Sequence, residues 1–352
     1  MPTALPAVLG LLLAGAALLA AGTRLARTAD SLAERTGLGD AVAGALLLGA
    51  VTSLPGIATT VTGGLAGDAA FALANPVGGV AIQTVWLAIA DLAYRRANLE
   101  HAAASLENVM QALILVALLA VPVVAYATPE LVWGWIHPAT VLIPLLYAYG
   151  FTLLRRMRAE PMWQPTATRD TRTDDRLATG EDGDTPPPAA TEQQPDGRTT
   201  PRLWMTLAAL AAVVGLAGWV IGRSGVDLIR ATGLPSEVVG FTFTTALTSL
   251  PELVVLVAAV RMGALTLGVG NIIGGNVFDP LMIAVADVSY VDGSVYAAAG
   301  PSSLVLLGGT ILITTLLAGG LVMRDRTGVG FEGVSLPLAY AGTVALAVVV
   351  AT

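Results

Sequence analysis

Apolar residues run along this chain in blocks of about twenty, the length that carries a helix across a bilayer, with short polar breaks between them. Ten blocks are read, near 4–22, 40–65, 70–94, 104–127, 131–154, 203–222, 235–260, 264–290, 301–323 and 332–351. Each predicts one membrane helix. Between the fifth and sixth lies a stretch of other character, RRMRAEPMWQPTATRDTRTDDRLATGEDGDTPPPAATEQQPDGRTTPR. It is rich in Pro, Thr, Asp and Glu and poor in large apolar residues, so it predicts a disordered linker. The chain therefore divides into 1–154, a linker over 155–202, and 203–352.

The two halves repeat. GLGDAVAGALLLGAVTSLPG (37–56) aligns with GLPSEVVGFTFTTALTSLPE (233–252), an offset of 196 residues. The same offset lays NPVGGVAIQ (75–83) on NIIGGNVFD (271–279), and AIADLAY (88–94) on AVADVSY (284–290). Five spans per half is an odd number, so the second half must be inverted relative to the first. Inverted repeats are a common build of secondary transporters; duplication of a purely structural scaffold is the alternative. The repeated motifs fall within 44–91 and 240–287.

Composition agrees. Charged residues make up 12% of the 352 and hydrophobic residues 55%, against about 25% charged in soluble domains. The chain reads as an all-α integral membrane protein. There is no cysteine, which removes disulfides and thiolate metal sites. No basic stretch precedes the first apolar block, so it reads as a membrane helix and not a cleaved signal peptide. Arginine placement sets orientation. Arg24, Arg27, Arg35, Arg95, Arg96, Arg155, Arg156, Arg158, Arg261, Arg324 and Arg326 fall on one side, and only Arg223 and Arg230 on the other. That places both termini outside and the linker in the cytoplasm.

The polar phrases inside apolar spans carry the chemistry. In TSLPE (248–252), Pro251 removes a backbone donor and frees a carbonyl upstream. At membrane depth that carbonyl must be satisfied or must line a hydrated cavity. Thr248 and Ser249 add hydroxyls and Glu252 a carboxylate, and an ionisable group inside a span is a functional candidate by default. Carbonyl, hydroxyl and carboxylate oxygens in one turn suit hard cations such as Ca²⁺ or Na⁺. A kinked helix with Glu252 paired to an arginine is the structural alternative. In GNIIGGNVFDP (270–280), Gly274 and Gly275 permit close helix approach, while Asn271, Asn276 and Asp279 add oxygens; helix capping at Asp279–Pro280 is the alternative there. Two carboxylates balance one divalent cation.

These residues resemble the cation/Ca²⁺ exchanger superfamily, the sodium/calcium exchanger-like membrane proteins, in which G-T-S-L-P-E and G-N-x-x-G-S-N-x-x-N/D recur once per inverted half. The resemblance implies ten transmembrane helices in two inverted five-helix repeats, with spans two, three, seven and eight broken at the ion site. It implies a secondary cation antiporter, not an enzyme, that exchanges Ca²⁺ or another cation for Na⁺ by alternating access in the plasma membrane. No cofactor is expected beyond the transported ions. Its partners would be inorganic cations and the lipid bilayer, without nucleic acid. The implied ion ligands are Thr52, Ser53, Gln83, Thr248, Ser249, Glu252, Asn276 and Asp279, with Gly79 and Gly275 at the family's serine positions. The pair of spans one and six would slide across the core.

The sequence departs from the pattern in three ways. Gly56 replaces the first-half glutamate, glycine replaces both motif serines, and Val80 stands where the second half has Asn276. An H⁺-coupled exchanger using Glu252 or Asp279 as proton carrier is therefore a second reading, and a non-transporting sensor or scaffold a third. Asp91 and Asp287 are repeat mates that read either as a relay pair or as anchors at helix ends beside Tyr94 and Tyr290. His101, His137, Glu100, Glu107 and the acidic linker read as solvated.

Overall fold

The computed structural model describes residues 4–36, 50–94, 106–159, 199–261, 265–323 and 331–351. Among them the chain is helical apart from short connections and one isolated bridge between Trp133 and Ile136. The first half holds α1 (Leu5–Thr36), α2 (Leu54–Leu65), α3 (Ala69–Tyr94), α4 (Leu106–Ala127) and α5 (Ala139–Ala159). The second half opens with α6 (Thr200–Thr232), followed by α7 (Ser236–Thr248) and α8 (Leu250–Arg261). It continues with α9 (Leu265–Phe278), α10 (Leu281–Ser289), α11 (Val295–Ala298), α12 (Pro301–Met323) and α13 (Phe331–Ala351).

Seven described helices are long and apolar enough to cross a membrane, and α7 with α8, bent by 51°, make an eighth. Eight of the expected ten spans are found among the described residues. Residues 40–49 of the second span lie outside them. The fifth helix starts eight residues later than expected, at Ala139 instead of residue 131, and runs into Arg155 and Arg156. Residues 131–138 form a loop because Trp133 and Ile136 exchange backbone hydrogen bonds around Gly134 at φ 71°. The first and sixth helices overrun their predicted ends. Leu5–Thr36 carries Arg24, Arg27 and Arg35, and Thr200–Thr232 carries Arg223 and Arg230, on helix and not in loops. The linker keeps helical ends at 155–159 and 200–202, and its residues 160–198 lie outside the described ones, as do Arg95, Arg96, Glu100, His101, Arg324 and Arg326.

Two hydrophobic clusters divide the bundle. α1 and α6 lie side by side and form one with Phe71 and Val239; α3, α4, α9 and α12 dominate the other. The central helix is α3, whose apolar window is 89% buried against 17% for α13. The seam between the clusters repeats the internal symmetry. A Cβ on Gly22 of α1 would lie 2.6 Å from Cγ of Pro251, and one on Gly218 of α6 would run into the Pro55 carbonyl. Both pairs obey the 196-residue offset, so each long helix presses a glycine onto the proline of the opposite half's TSLP. Thr59 Oγ1 donates to the Gly218 carbonyl at 2.8 Å and pins that seam.

His137 corrects the sequence reading, since it is buried at 3% exposure. Its Nδ1 accepts from Ala139 N at 3.1 Å, which puts the ring proton on Nε2, 2.9 Å from the Thr128 carbonyl. Its backbone N–H donates to Asp287 Oδ2 at 2.8 Å, while Val295 N donates to Oδ1 at 2.8 Å and Thr140 Oγ1 also donates to Oδ2. Asp287 thus ties the start of α5, the end of α10 and the start of α11 together, as an anchor at a helix end. Asp91 sits on α3, and its side chain lies outside the described residues.

Overpacking a close helix crossing costs about 1–3 kcal/mol. Gly218→Leu should therefore lower the melting temperature of the purified protein by several degrees. Gly308→Leu, which meets no described atom within 4 Å, should leave it unchanged, and equal melting of the two variants would refute the seam.

Candidate functional site

The helix breaks fall where the motifs predict. Ser53 interrupts the helical residues 50–52 from α2, and Ser249 separates α7 from α8, each one residue before a Leu-Pro pair. Proline is pre-set for the first turn of a new helix, so each TSLP ends one helix and starts another. α9 and α10 part at Asp279 and Pro280 in the same way. The third span differs from expectation: α3 runs unbroken through Gln83, with Pro76 inside it. The mate of Pro280 is Thr84, which keeps a backbone donor and bonds its hydroxyl to the Val80 carbonyl at 2.7 Å. Only three of the four expected breaks form.

Gln83 and Asp279 meet at the centre. Gln83 Nε2 donates to Asp279 Oδ2 and to Ser249 Oγ, both at 3.3 Å, and Ser53 Oγ donates to Asp279 Oδ1 at 3.3 Å. Gln83 and Asp279 are repeat mates, as are Ser53 and Ser249. Residues that touch their own mates lie on the axis relating the halves, so the pseudo-twofold axis passes here. Asn276 confirms its course by donating to the carbonyl of its mate Val80 at 3.5 Å and to Thr84 Oγ1 at 3.1 Å.

Thr52, Ser53, Gln83, Glu252 and Asp279 line one cavity of about 190 Å³. Gln111, Tyr147, Phe151, Asn271 and Gly274 continue its wall to the exposed Arg155. Glu252 and Asp279 are 8% and 2% exposed. Among the described residues no arginine pairs with either, which removes the kink-and-ion-pair alternative for Glu252. Glu252 Oε2 is buried without a hydrogen-bond partner. A buried carboxylate oxygen with nothing on it is expensive unless a cation, proton or water fills the place.

The other candidates are placed apart from this cavity. Ser249 is one contact away, through Gln83. Thr248 is buried, with its hydroxyl on the Thr245 carbonyl at 3.2 Å. Asn276 is spent on α3, with Oδ1 buried and unpartnered.

The glycines have distinct roles. A Cβ on Gly79 would stand 2.9 Å from Asp279 Oδ2, so a serine there would require that carboxylate to shift; Gly275 meets only Gln83 Oε1, at 3.9 Å. Gly56 is buried and is not among the residues that line the cavity. A Cβ there would meet Met282 Sδ at 3.1 Å and Asn75 Nδ2 at 3.8 Å. The thioether of Met282 occupies the space into which a first-half carboxylate would project.

The two faces of the site are unequal. Asn75 is fully engaged: Nδ2 donates to the Gly56 carbonyl and Thr60 Oγ1, and Oδ1 accepts from Thr244. A Cβ on Gly78 would lie 2.6 Å from the Phe241 carbonyl. Their mates Asn271 and Gly274 border the cavity, where a Cβ on Gly274 would find its nearest described atom at 4.0 Å. The site is closed on the Asn75 face and open on the Asn271 face.

The family model described as sodium/calcium exchanger protein matches residues 6–154 and 202–349. The chain belongs to this family. A protein of Alkalimonas amylolytica described as an antiporter, CaxA, is 29% identical over 172 residues, 48% of this chain and 50% of that one. The sodium/calcium exchanger MaX1 of Methanosarcina acetivorans is 35% identical over 79 residues, 22% of each chain. The match thus spans at most half the length of these relatives. Among solved structures, the H⁺/Ca²⁺ exchanger CAX superposes with a TM-score of 0.66 at 12% identity, covering 98% of this chain and 86% of that one. The sodium-calcium exchanger NCX_Mj superposes at 0.56 and 16% identity, covering 97% and 99%. At such identities the likeness is one of fold.

Sequence reasoning missed several residues at or beside this cavity. Gln111 and Tyr147 lie outside the motifs, on α4 and α5, and enter the cavity only through packing. Gln111 carried a signal, being an amide, like Asn108, within an apolar span. Met282 carried none, because an apolar residue in an apolar helix is ordinary.

Gly56→Glu alone should lose about 1–3 kcal/mol by overpacking Met282, seen as a lowered melting temperature. Adding Met282→Ala should recover that loss and strengthen divalent-cation binding. A single variant as stable as the parent would show that Met282 does not fill the place.

Proposed function

We propose that this chain is a secondary cation antiporter that exchanges Ca²⁺, or another hard cation, for Na⁺ across the plasma membrane. The observation that carries the reading is the pair of buried carboxylates, Glu252 and Asp279, with no arginine on either among the described residues. They share one cavity with the oxygens of Thr52 and Ser53. Their formal charge of −2 balances one divalent ion or two monovalent ones, and competition between the two is the basis of exchange. No covalent bond is made or broken. Hard cations take six to eight oxygens, and water reaching the cavity completes the shell that four side chains begin.

The arginine pattern supports a cytoplasmic linker and termini outside. Arg155 stands at the open end of the cavity, so this conformation faces the cytoplasm, with the Asn75 face sealed towards the outside. Alternating access requires the reverse arrangement as well, with Asn75 and Gly78 uncovered and Asn271 and Gly274 packed. The α1–α6 pair, a separate hydrophobic cluster seated on both TSLP prolines, is placed to move between the two.

The unpartnered Glu252 Oε2 favours one further reading. A proton fills that oxygen as well as a metal ion does, and with Gly56 in place of a second glutamate fewer charges hold a metal. H⁺ would then be the coupling ion, with Glu252 or Asp279 as its carrier.

Proteoliposomes loaded with Ca²⁺ test both. Efflux driven by an inward Na⁺ gradient supports the first reading, and efflux driven by an inward H⁺ gradient without Na⁺ the second. Glu252→Gln and Asp279→Asn should each reduce flux to background. Flux that survives both substitutions contradicts the site, and binding without flux in the parent protein points to a sensor.

A further inference from the structure

Among the described residues, α4 contributes Gln111 alone to the wall of the cavity. The residue is 8% exposed, and its Nε2 donates to Glu107 Oε1, one turn back, at 3.3 Å. A carboxylate oxygen accepts, and an amide carbonyl has no proton to give it. That bond therefore fixes which way the amide is turned. Its NH₂ group faces Glu107, and its carbonyl oxygen, Oε1, points elsewhere, buried and without a hydrogen-bond partner.

Two more acceptor oxygens on residues lining the same cavity are buried and unpartnered, Gln83 Oε1 and Glu252 Oε2. The backbone of α9 is bare opposite both glutamines. A Cβ on Gly274 would find Gln111 Oε1 as its nearest described atom, at 4.0 Å, and one on Gly275 would find Gln83 Oε1 at 3.9 Å. These glycines lie in the turn before Asp279, whose N–H donates to the Gly275 carbonyl. Buried acceptors left empty are costly, and a cation in the cavity answers all three.

Resting on the antiporter reading, we propose that Gln111 is a further ligand of the transported cation, adding a neutral carbonyl oxygen to the carboxylates of Glu252 and Asp279. The ion it suits is a hard one, Ca²⁺ or Na⁺, which gathers several oxygens and takes amide carbonyls among them. A proton uses far fewer acceptors, so Gln111 weights the site toward metal ions. Its mate at the 196-residue offset is Leu307 of α12, fully buried. The ligand is thus one-sided, as the carboxylates are. Glu107 is a positioning residue, acting through the bond that turns the amide.

Calorimetric titration of the full-length protein with CaCl₂ provides the test. Gln111→Leu should weaken binding about tenfold. Its metal-free melting temperature should not fall below that of the parent, while the rise produced by Ca²⁺ should shrink. Gln111→Glu combined with Glu107→Gln keeps an amide beside the side chain and puts charge on the ligand, so it should bind Ca²⁺ more tightly than the parent. Parent-like affinity in Gln111→Leu, with binding lost in Glu252→Gln and Asp279→Asn, overturns the assignment and leaves the central site standing. A charge-exchanged pair that binds no better than Gln111→Leu overturns it as well. Binding indifferent to both central substitutions sinks the antiporter site, and this ligand with it.

Discussion

Gln83 and Asp279 touch across the axis that relates the two halves of the chain, and the rest of the site is arranged around that contact. A twofold axis through a pair of repeat mates fixes which residues can face each other. Ser53 must reach the second-half residue, Ser249 the first-half one, and they do. Two equal carboxylates on such an axis would repel. The chain carries an amide on one side and a carboxylate on the other, and the amide N–H supplies the hydrogen bond that a second carboxylate could not. The negative charge of the site is thereby placed on the second half alone, at Asp279 and Glu252.

That asymmetry explains the glycines and the methionine. Asp279 leans onto α3 so closely that a side chain at position 79 would have to push its carboxylate aside. On the first-half side Gly56 packs against Met282 of α10, and Asn75 is committed to hydrogen bonds with α2 and α7. The six-residue π turn in α7, Val239–Thr244, ends at Thr244, which donates to Asn75 Oδ1, and the next residue, Thr245, donates to the Asn75 carbonyl. π turns concentrate at functional sites, and this one seals the face opposite the cavity. A pseudo-symmetric backbone thus holds an unsymmetric set of side chains, with one face open and the other packed.

Much of this was legible in the residues. TSLP is unhelical for a local reason, a proline after two hydroxyl side chains, and local reasons survive folding. The offset of 196 identified mates whose contact the structure then displays. The remainder depended on what lies next to a residue in space. Gln83 and Thr84 look like a counterpart of Asp279 and Pro280, but without the proline the helix continues. Asn276 has the chemistry of a ligand and is used as a tie between α9 and α3. His137 sits in a loop by sequence and at 3% exposure by packing, because Asp287 holds its backbone and Thr128 its ring. The start of α5 was misplaced because Leu131, Val132, Trp133 and Trp135 are apolar, although they lie exposed in a loop.

In the cation site proposed for this chain, one carboxylate on the pseudo-twofold axis serves both halves. Exchanging the mates, Gln83→Asp together with Asp279→Gln, tests it most directly, read as cation flux into proteoliposomes. The account predicts that Asp279→Gln alone is inactive and that the double exchange regains flux, because the charge returns to the axis from the other side. A double variant as inactive as the single one, though folded and monodisperse, would contradict it.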